Sequence, residues 1–481
     1  MKNALISSFA KNIGLIVALN LLIKPGGLLL EAELQDIIGN AEWGKLASFF
    51  SLGFLLSVIT DFGINQYYTK AIAEDPTRIK ELAPTMISIK GCMVLIYPII
   101  VVFIAKLIGI QDDLLTYVGL LAFTNGMIQF NNFFRANFQG FQLYKLDAFA
   151  SNLDKLLLII GLSGLLIFHY NFDNEIGMGH YVSARLCAVL VTGGVLIALT
   201  VSRGLWHRPK LIKNKISPII KSSIPFALIT VLYSFNEKVD QVMVERLSDT
   251  TVEAGIYSAA YRWLDALMMY LWIILPMLFA RFSFHETGKE RKELLLKTGM
   301  VITAVPLLIV TGFSFWHSEV LFVMFNNSPI EEVNRMSSSF SILSIALGLH
   351  GLFAILSTFL TSSGHTKFVN RLLIVAILLN MTLNFVYIPE NGALAAAWTT
   401  VISTVLISSG YIIYLVSKVD IKLPWLSWLK VIIGFISYIG CMFWFESMQI
   451  HWFIGTFVSA GLFMAIIILT KTVRISDLKR I

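Results

Sequence analysis

The sequence predicts an all-α, polytopic membrane protein, on three observations. Hydrophobic residues make up 56% of the 481 positions and charged residues only 14%, against roughly one quarter charged in an ordinary soluble domain. Apolar stretches recur along the whole length, among them Val94 to Ala105, Leu156 to Phe168, Leu186 to Val201 and Ile454 to Thr470. Each, with its flanks, approaches the roughly 20 residues that cross a bilayer as a helix. Alternating strands of about ten residues are absent, which disfavours a membrane β-barrel.

Breaking the chain at Gly, Pro and charge clusters gives spans near 11–30, 43–69, 84–107, 114–136, 146–169 and 179–202. A polar, basic connector over 203–221 precedes spans near 222–244, 252–281, 296–317, 337–361, 369–388 and 392–416. Two more, near 426–445 and 451–470, bring the expected count to about fourteen. The expected organisation is an N-terminal six-helix bundle (1–202), the connector (203–221), a C-terminal six-helix bundle (222–417), and two extra helices with a tail (418–481). Met1 to Ala10 is short and amphipathic, and no small-residue cleavage site follows it. A retained first helix is therefore expected rather than a cleaved signal.

Lys and Arg accumulate in short cytoplasmic loops, and their distribution orients these spans. With Lys2 and Lys11 inside, the alternate segments 70–90, 135–145, 203–221, 281–297, 367–371, 418–430 and the tail collect 28 of the 37 Lys and Arg. The opposite segments hold only Lys45, Lys106, Arg246 and Arg335, among acids such as Glu31, Glu33, Asp36, Glu42, Asp112, Asp113, Glu331 and Glu332. An even count with both termini in the cytoplasm follows. The formal charge of +7 is thus a topological signal, and no nucleic-acid partner is expected.

A weak repeat occurs at a separation of 211 to 213 residues: Glu42-Trp43-Gly44 aligns with Glu253-Ala254-Gly255, and Gly179 to Ala184 with Gly392 to Ala397. A separation of six helices makes the two halves parallel, related by an axis along the membrane normal.

A charge near mid-bilayer costs about 2.5–3.5 kcal/mol on insertion scales, so those that persist face a cavity or a partner. Lys24 precedes Pro25-Gly26-Gly27, which is expected to kink the first span and free backbone groups. Ser57 and Asp61 share one face of the second span. On the fourth, Asn125, Gln129, Asn132 and Gln139 form one stripe at helical spacing, with Arg135 at its edge. The seventh carries Thr230, Ser234, Glu237 and Gln241, flanked by Lys238 and Asp240, and the eighth carries Arg262 and Asp265, three apart and able to pair. Asp154, Lys155 and Arg185 complete the set.

Blander roles compete with each of these. Arg135, Lys155 and Arg185 can snorkel to headgroups, Arg262 with Asp265 can be a structural ion pair, and Glu237, Lys238 and Asp240 can neutralise one another. Trp43, Tyr117, Trp206, Trp425 and Trp428 are expected as interfacial anchors, and Cys92, Cys187 and Cys441 as small buried hydrophobes. No nucleophile elbow, zinc-histidine pair, Walker loop or dinucleotide fingerprint is present, so neither an enzyme nor a cofactor is expected.

Pro25, Ile38-Gly39, Glu42-Trp43-Gly44, Asp61-Phe62-Gly63-Ile64, Ser223-Ile224-Pro225-Phe226 with Asp240, Gly255 to Arg262, and Pro276 together resemble the polysaccharide-biosynthesis, or O-antigen, flippases of the multidrug/oligosaccharidyl-lipid/polysaccharide exporter superfamily. The segment Glu31 to Asp36 looks like an insertion in the usual short first loop, and Trp43 stands where tyrosine or phenylalanine is commoner. The resemblance implies two pseudo-symmetric bundles that move a lipid-linked oligosaccharide, on an undecaprenyl pyrophosphate carrier, across the bacterial inner membrane by alternating access. The two last helices would then form a groove for the lipid tail, and a glycan polymerase and other assembly proteins would be partners besides membrane lipids. Lys24, Arg135, Lys238 and Arg262 are the candidate cations for substrate, with Asn125, Gln129 and Asn132 as the polar stripe. Asp61, Glu237, Asp240 and Asp265 are candidates for ion coupling or structural pairing. The competing readings are a cation-coupled multidrug exporter of the same superfamily and a membrane glycan polymerase or acyltransferase.

Overall fold

In the computed structural model, the described residues are 23, 26–172, 174–284, 292, 294–296, 299, 311–312, 314–421 and 425–470. Among them every regular element is helical, and seven helices are long and apolar enough to cross a membrane. The chain divides into two compact units, Met1–Arg246 with Thr250–Gly255, and Leu247–Asp249 with Ile256–Ile481.

In the first unit α1 covers 26–38 and α2 runs Asn40–Leu56. The short α3 (Val58–Asp61) and α4 (Ile64–Glu74) follow, then α5 (Ile79–Leu107), α6 (Leu115–Gly140), α7 (Tyr144–Phe172), α8 (Met178–Ser202) and α9 (Lys213–Leu247). Between α4 and α5, Asp75 accepts hydrogen bonds from the Thr77 hydroxyl at 2.7 Å and its amide at 3.0 Å. These bonds hold the carboxyl below its ordinary range.

The faces of α5 show how the helices sort lipid from protein. Leu95, Ile99 and Phe103 recur every four residues and are exposed, Ile99 by 70%, whereas Val94, Tyr97, Val101 and Ala105 are buried. Tyr97, Val101 and Ala105 pack with Phe49 and Leu52 of α2, Val118 and Leu121 of α6, and Tyr181 and Val182 of α8. An apolar face directed outward has water to avoid unless lipid covers it, as it does in a multi-pass membrane protein. Cys92 and Cys187 are also exposed: they lie on that outer surface rather than in the core the sequence assigns them. Trp43, expected as an interfacial anchor, is core, edge-on to Tyr181 at 5.2 Å.

Two further expectations change in α1. Glu31 to Asp36, read as a loop insertion, is helical, which turns Glu31 toward α8. There it accepts from Tyr181 at 2.8 Å and pairs with Arg185 at 3.3 Å. The Arg185 guanidinium also lies 4.1 Å above the Phe50 ring. Arg185 therefore points into the unit instead of snorkelling out.

Gly44 of α2 and Gly255 of α10 (Val252–Phe284) are the two glycines aligned by the repeat, and they meet. A Cβ on Gly255 would overlap the Asn40 carbonyl, four residues before Gly44; a Cβ on Gly44 would overlap the Thr251 carbonyl, four residues before Gly255. The contact is thus reciprocal, each helix start resting on the other's glycine. Gln35 fixes it with bonds to the Asn40 side chain at 2.7 Å and the Gly255 carbonyl at 3.0 Å.

In the second unit Ile330–Ser362 packs along Thr366–Lys418. The latter is broken at Gly392, whose φ of 53° and ψ of −130° are open to glycine alone, so it reads as the two spans expected there. Trp425–Ser447 pairs with Trp452–Leu469.

Gly255→Val drives a side chain into the Asn40 backbone and lowers stability by about 1–3 kcal/mol, the range of overpacking. Gly164→Val, where a Cβ meets nothing within 4 Å, leaves the unfolding midpoint of the detergent-purified protein unchanged.

Candidate functional site

The site is built on the broken second span. Sequence periodicity runs it unbroken from 43 to 69, but Phe62 (φ 47°) and Gly63 (φ 73°) are both left-handed and separate α3 from α4. The break frees carbonyls at the end of α3 and amides at the start of α4. Lys90, wholly buried on α5, donates to the Thr60 carbonyl at 3.0 Å and to Asp61 Oδ1 at 2.6 Å. The Asp61 carboxylate in turn accepts from the Asn65 amide at 3.2 Å. A cation thus sits at a helix C-terminus and an anion at a helix N-terminus, the arrangement the helix dipoles favour.

The bend directs α4 so that its polar face meets the stripe of α6. Between them lies a cleft of about 570 Å³, lined by Ser57, Val58 and Asp61, by Asn65, Gln66, Thr69, Lys70 and Ala73, and by Gln129, Asn132, Arg135 and Gln139. Four residues expected at the site, Asp61, Gln129, Asn132 and Arg135, converge here. Close packing supports the geometry: Gly140 of α6 lies against Ile72 of α4, and Tyr68 donates to Asn137 at 2.8 Å.

The charges of the cleft are internally matched. Arg135 Nε donates to Asp147 at 2.8 Å, and its Nη1 donates to Asn132 at 3.1 Å. Gln139 donates to the other oxygen of Asp147 at 3.2 Å. Arg135 is therefore held by α7 and not left to headgroups.

The remaining expected residues lie outside this cleft. Asn125 is buried deeper on α6, donating to the Phe50 carbonyl at 3.3 Å. Glu237 and Lys238 are half-buried and Asp240 is buried on α9; Arg262 is buried and Asp265 half-buried on α10. Each of these five has an interaction partner in the fold. Lys24, Pro25 and the side chain of Thr230 fall outside the described residues.

Lys90 escapes sequence reasoning because its place after Lys70, Arg78 and Lys80 reads as part of a cytoplasmic charge run. The signal that could have found it is its position about 16 Å into α5, at 1.5 Å per residue. Asp147 escapes because it sits at a loop edge.

Lys90→Met leaves the Asp61 carboxylate buried without its cation, and removing one partner of a buried pair costs about 3–5 kcal/mol. The double change Asp61→Asn with Lys90→Met recovers most of that loss. Unfolding midpoints of the three purified proteins check both outcomes.

The fold matches solved membrane transporters. A structure of lipid II flippase MurJ in the inward closed conformation matches with a TM-score of 0.75 at 13% identity, covering 94% of this chain and 97% of that one. An inward-facing multidrug resistance MATE family transporter of the MOP superfamily matches at 0.65 and 14% identity, covering 83% and 96%. A MOP superfamily transporter from Pyrococcus furiosus matches at 0.54 and 14%, covering 84% and 93%. No curated protein sequence matches the chain. The sequence profile of one family, described as polysaccharide biosynthesis protein, matches residues 9–284. The chain is a member of that polysaccharide biosynthesis protein family, with the fold of the MurJ and MATE transporters.

Proposed function

We propose that this protein is a flippase carrying a lipid-linked oligosaccharide, on an undecaprenyl pyrophosphate carrier, from the inner to the outer leaflet of the bacterial cytoplasmic membrane. The product would serve surface polysaccharide synthesis, O-antigen being one such glycan. The observation that carries the reading is the polar cleft inside a bundle whose outer faces are apolar. Sugars and a pyrophosphate pay a prohibitive desolvation cost in hydrocarbon unless side chains replace their water, and a lipid-facing helix has no use for the α6 stripe. Membership of a polysaccharide biosynthesis family supports the same substrate class.

In this reading both termini are cytoplasmic and about fourteen helices cross the membrane. Bundles 1–202 and 222–417, joined by 203–221, alternate access between the two faces, while the helices of 418–481 accommodate the lipid tail. The protein performs no covalent chemistry; an ion gradient, the membrane potential or the substrate gradient drives it. Lys24, Lys238 and Arg262 are the cations assigned to the pyrophosphate, and Glu237, Asp240 and Asp265 the acids assigned to ion coupling or to holding those cations. A glycan polymerase would act on the delivered product. A multidrug exporter fits less well, because Asp61, the carboxylate that lines the cleft, is already paired with Lys90, and Asp147 behind it with Arg135.

Deleting the gene in its own bacterium is expected to abolish surface glycan and to accumulate the lipid-linked precursor. Wild-type protein restores export, and Lys238→Gln with Arg262→Gln lowers it tenfold or more at equal membrane abundance. Normal glycan in the deletion strain together with lost efflux of lipophilic cations would replace this reading with the exporter.

A further inference from the structure

The more buried charges of the cleft, Asp61 and Arg135, are paired within the protein, and several of its neutral polar side chains are not. Asp61 pairs with Lys90 at 2.6 Å, and Arg135 with Asp147 at 2.8 Å. Asn132 and Gln139 brace the second pair. The one other charged lining group, Lys70, is exposed and lies 3.8 Å from Glu74. A phosphate entering here would meet Arg135 already engaged by Asp147 and Asn132, and no other cation of the lining but Lys70, which is exposed beside Glu74.

Four other neutral side chains of the lining present the opposite picture. Gln66, Thr69 and Gln129 line the cleft, and their side chains hydrogen-bond no described residue. Asn65 also lines it, and its Oδ1 is buried with no hydrogen-bond partner among the described residues. A buried acceptor without a donor is costly, and a small rotation of the amide toward the cleft would let a ligand satisfy it. A fully ionised phosphate oxygen has no proton to give such an acceptor. A sugar hydroxyl donates and accepts at once, which matches an amide carrying both an oxygen acceptor and two N–H donors. The volume of about 570 Å³ lies within the roughly 300–1,000 Å³ of sites that bury compact organic ligands, enough for a short oligosaccharide.

We propose that the cleft between α3, α4 and α6 is a sugar subsite, taking the uncharged, hydroxyl-rich glycan of the substrate and excluding its pyrophosphate. This rests on the flippase reading and divides its substrate between two places: the glycan on the first unit's amides, the pyrophosphate on cations outside this cleft. Gln129 is the specificity residue, because it stands at the centre of the stripe and its amide is unshared with the described residues. Gln66 and Thr69 face it from α4.

The test uses the full-length protein in nanodiscs and two probes: neutral glycan released by mild acid from the cell's own lipid-linked precursor, and inorganic pyrophosphate. Binding is read as the ligand-dependent rise in unfolding midpoint. The released glycan is expected to stabilise the wild type, and Gln129→Leu to weaken its affinity about tenfold, which corresponds to the loss of roughly one hydrogen bond. Gln129→Leu should leave the midpoint without ligand unchanged. Pyrophosphate is expected to bind, if at all, with an affinity that Gln129→Leu does not alter. The proposal is overturned if the released glycan gives no rise, if its effect survives Gln129→Leu intact, or if pyrophosphate stabilises in a way that Gln129→Leu or Arg135→Gln abolishes. Export in the deletion strain separates the two levels. Glycan export that needs this protein, with no binding of released glycan, ends the subsite and leaves the flippase standing; export without the protein ends both.

Discussion

A lysine and an aspartate, 2.6 Å apart and almost wholly inside the protein, hold a break open in the second membrane segment. Two consecutive left-handed residues, Phe62 and Gly63, leave helix-end groups without their helical partners, and a non-glycine residue in that conformation is strained in its own right. Lys90 binds the carbonyl end and Asp61 the amide end, so the pair satisfies the break as well as itself. Its desolvation is expensive, and the expense is justified by geometry: the bend brings the polar face of α4 opposite the stripe of α6.

From that constraint the division of labour in the first unit follows. Apolar stripes such as Leu95, Ile99 and Phe103 face outward, aromatic and aliphatic side chains fill the interior, and amides and hydroxyls gather at one cleft. Charges at the cleft are tied to neighbouring helices, Asp61 to α5 and Arg135 to α7. A hydroxyl-rich cargo can exchange hydrogen bonds with unshared amides more readily than it can break such pairs, because an unshared amide only trades water for sugar.

The helical class, the lipid-spanning stretches and the α6 stripe were legible in the sequence because they are periodic and local. Gln129, Asn132 and Arg135 needed only the 100° turn of a helix to be placed on one face. What the sequence hides is pairing across distance. Lys90 meets Asp61 from 29 positions away, Arg185 meets Glu31 from 154, and each was assigned by its neighbours in the chain, to a cytoplasmic run and to headgroups. Periodicity runs through the break after Asp61, and only the family resemblance of Asp61-Phe62-Gly63-Ile64 to the end of a second helix points to it. Glu31 to Asp36 misled in the other direction: four polar or acidic residues in six read as a loop, yet α8 supplies Tyr181 and Arg185 to hold Glu31 within a helix.

An α6 stripe that faces water inside a membrane bundle is open to a water-borne reagent, and cysteine accessibility reads this out. With Cys92, Cys187 and Cys441 replaced by alanine, Gln129→Cys should react with a charged, water-soluble thiol reagent, and Ile99→Cys, on the outward face of α5, should not. An inert Gln129→Cys beside a reactive Ile99→Cys would mean that the polar stripe is sealed and the apolar face is wet, which contradicts the account.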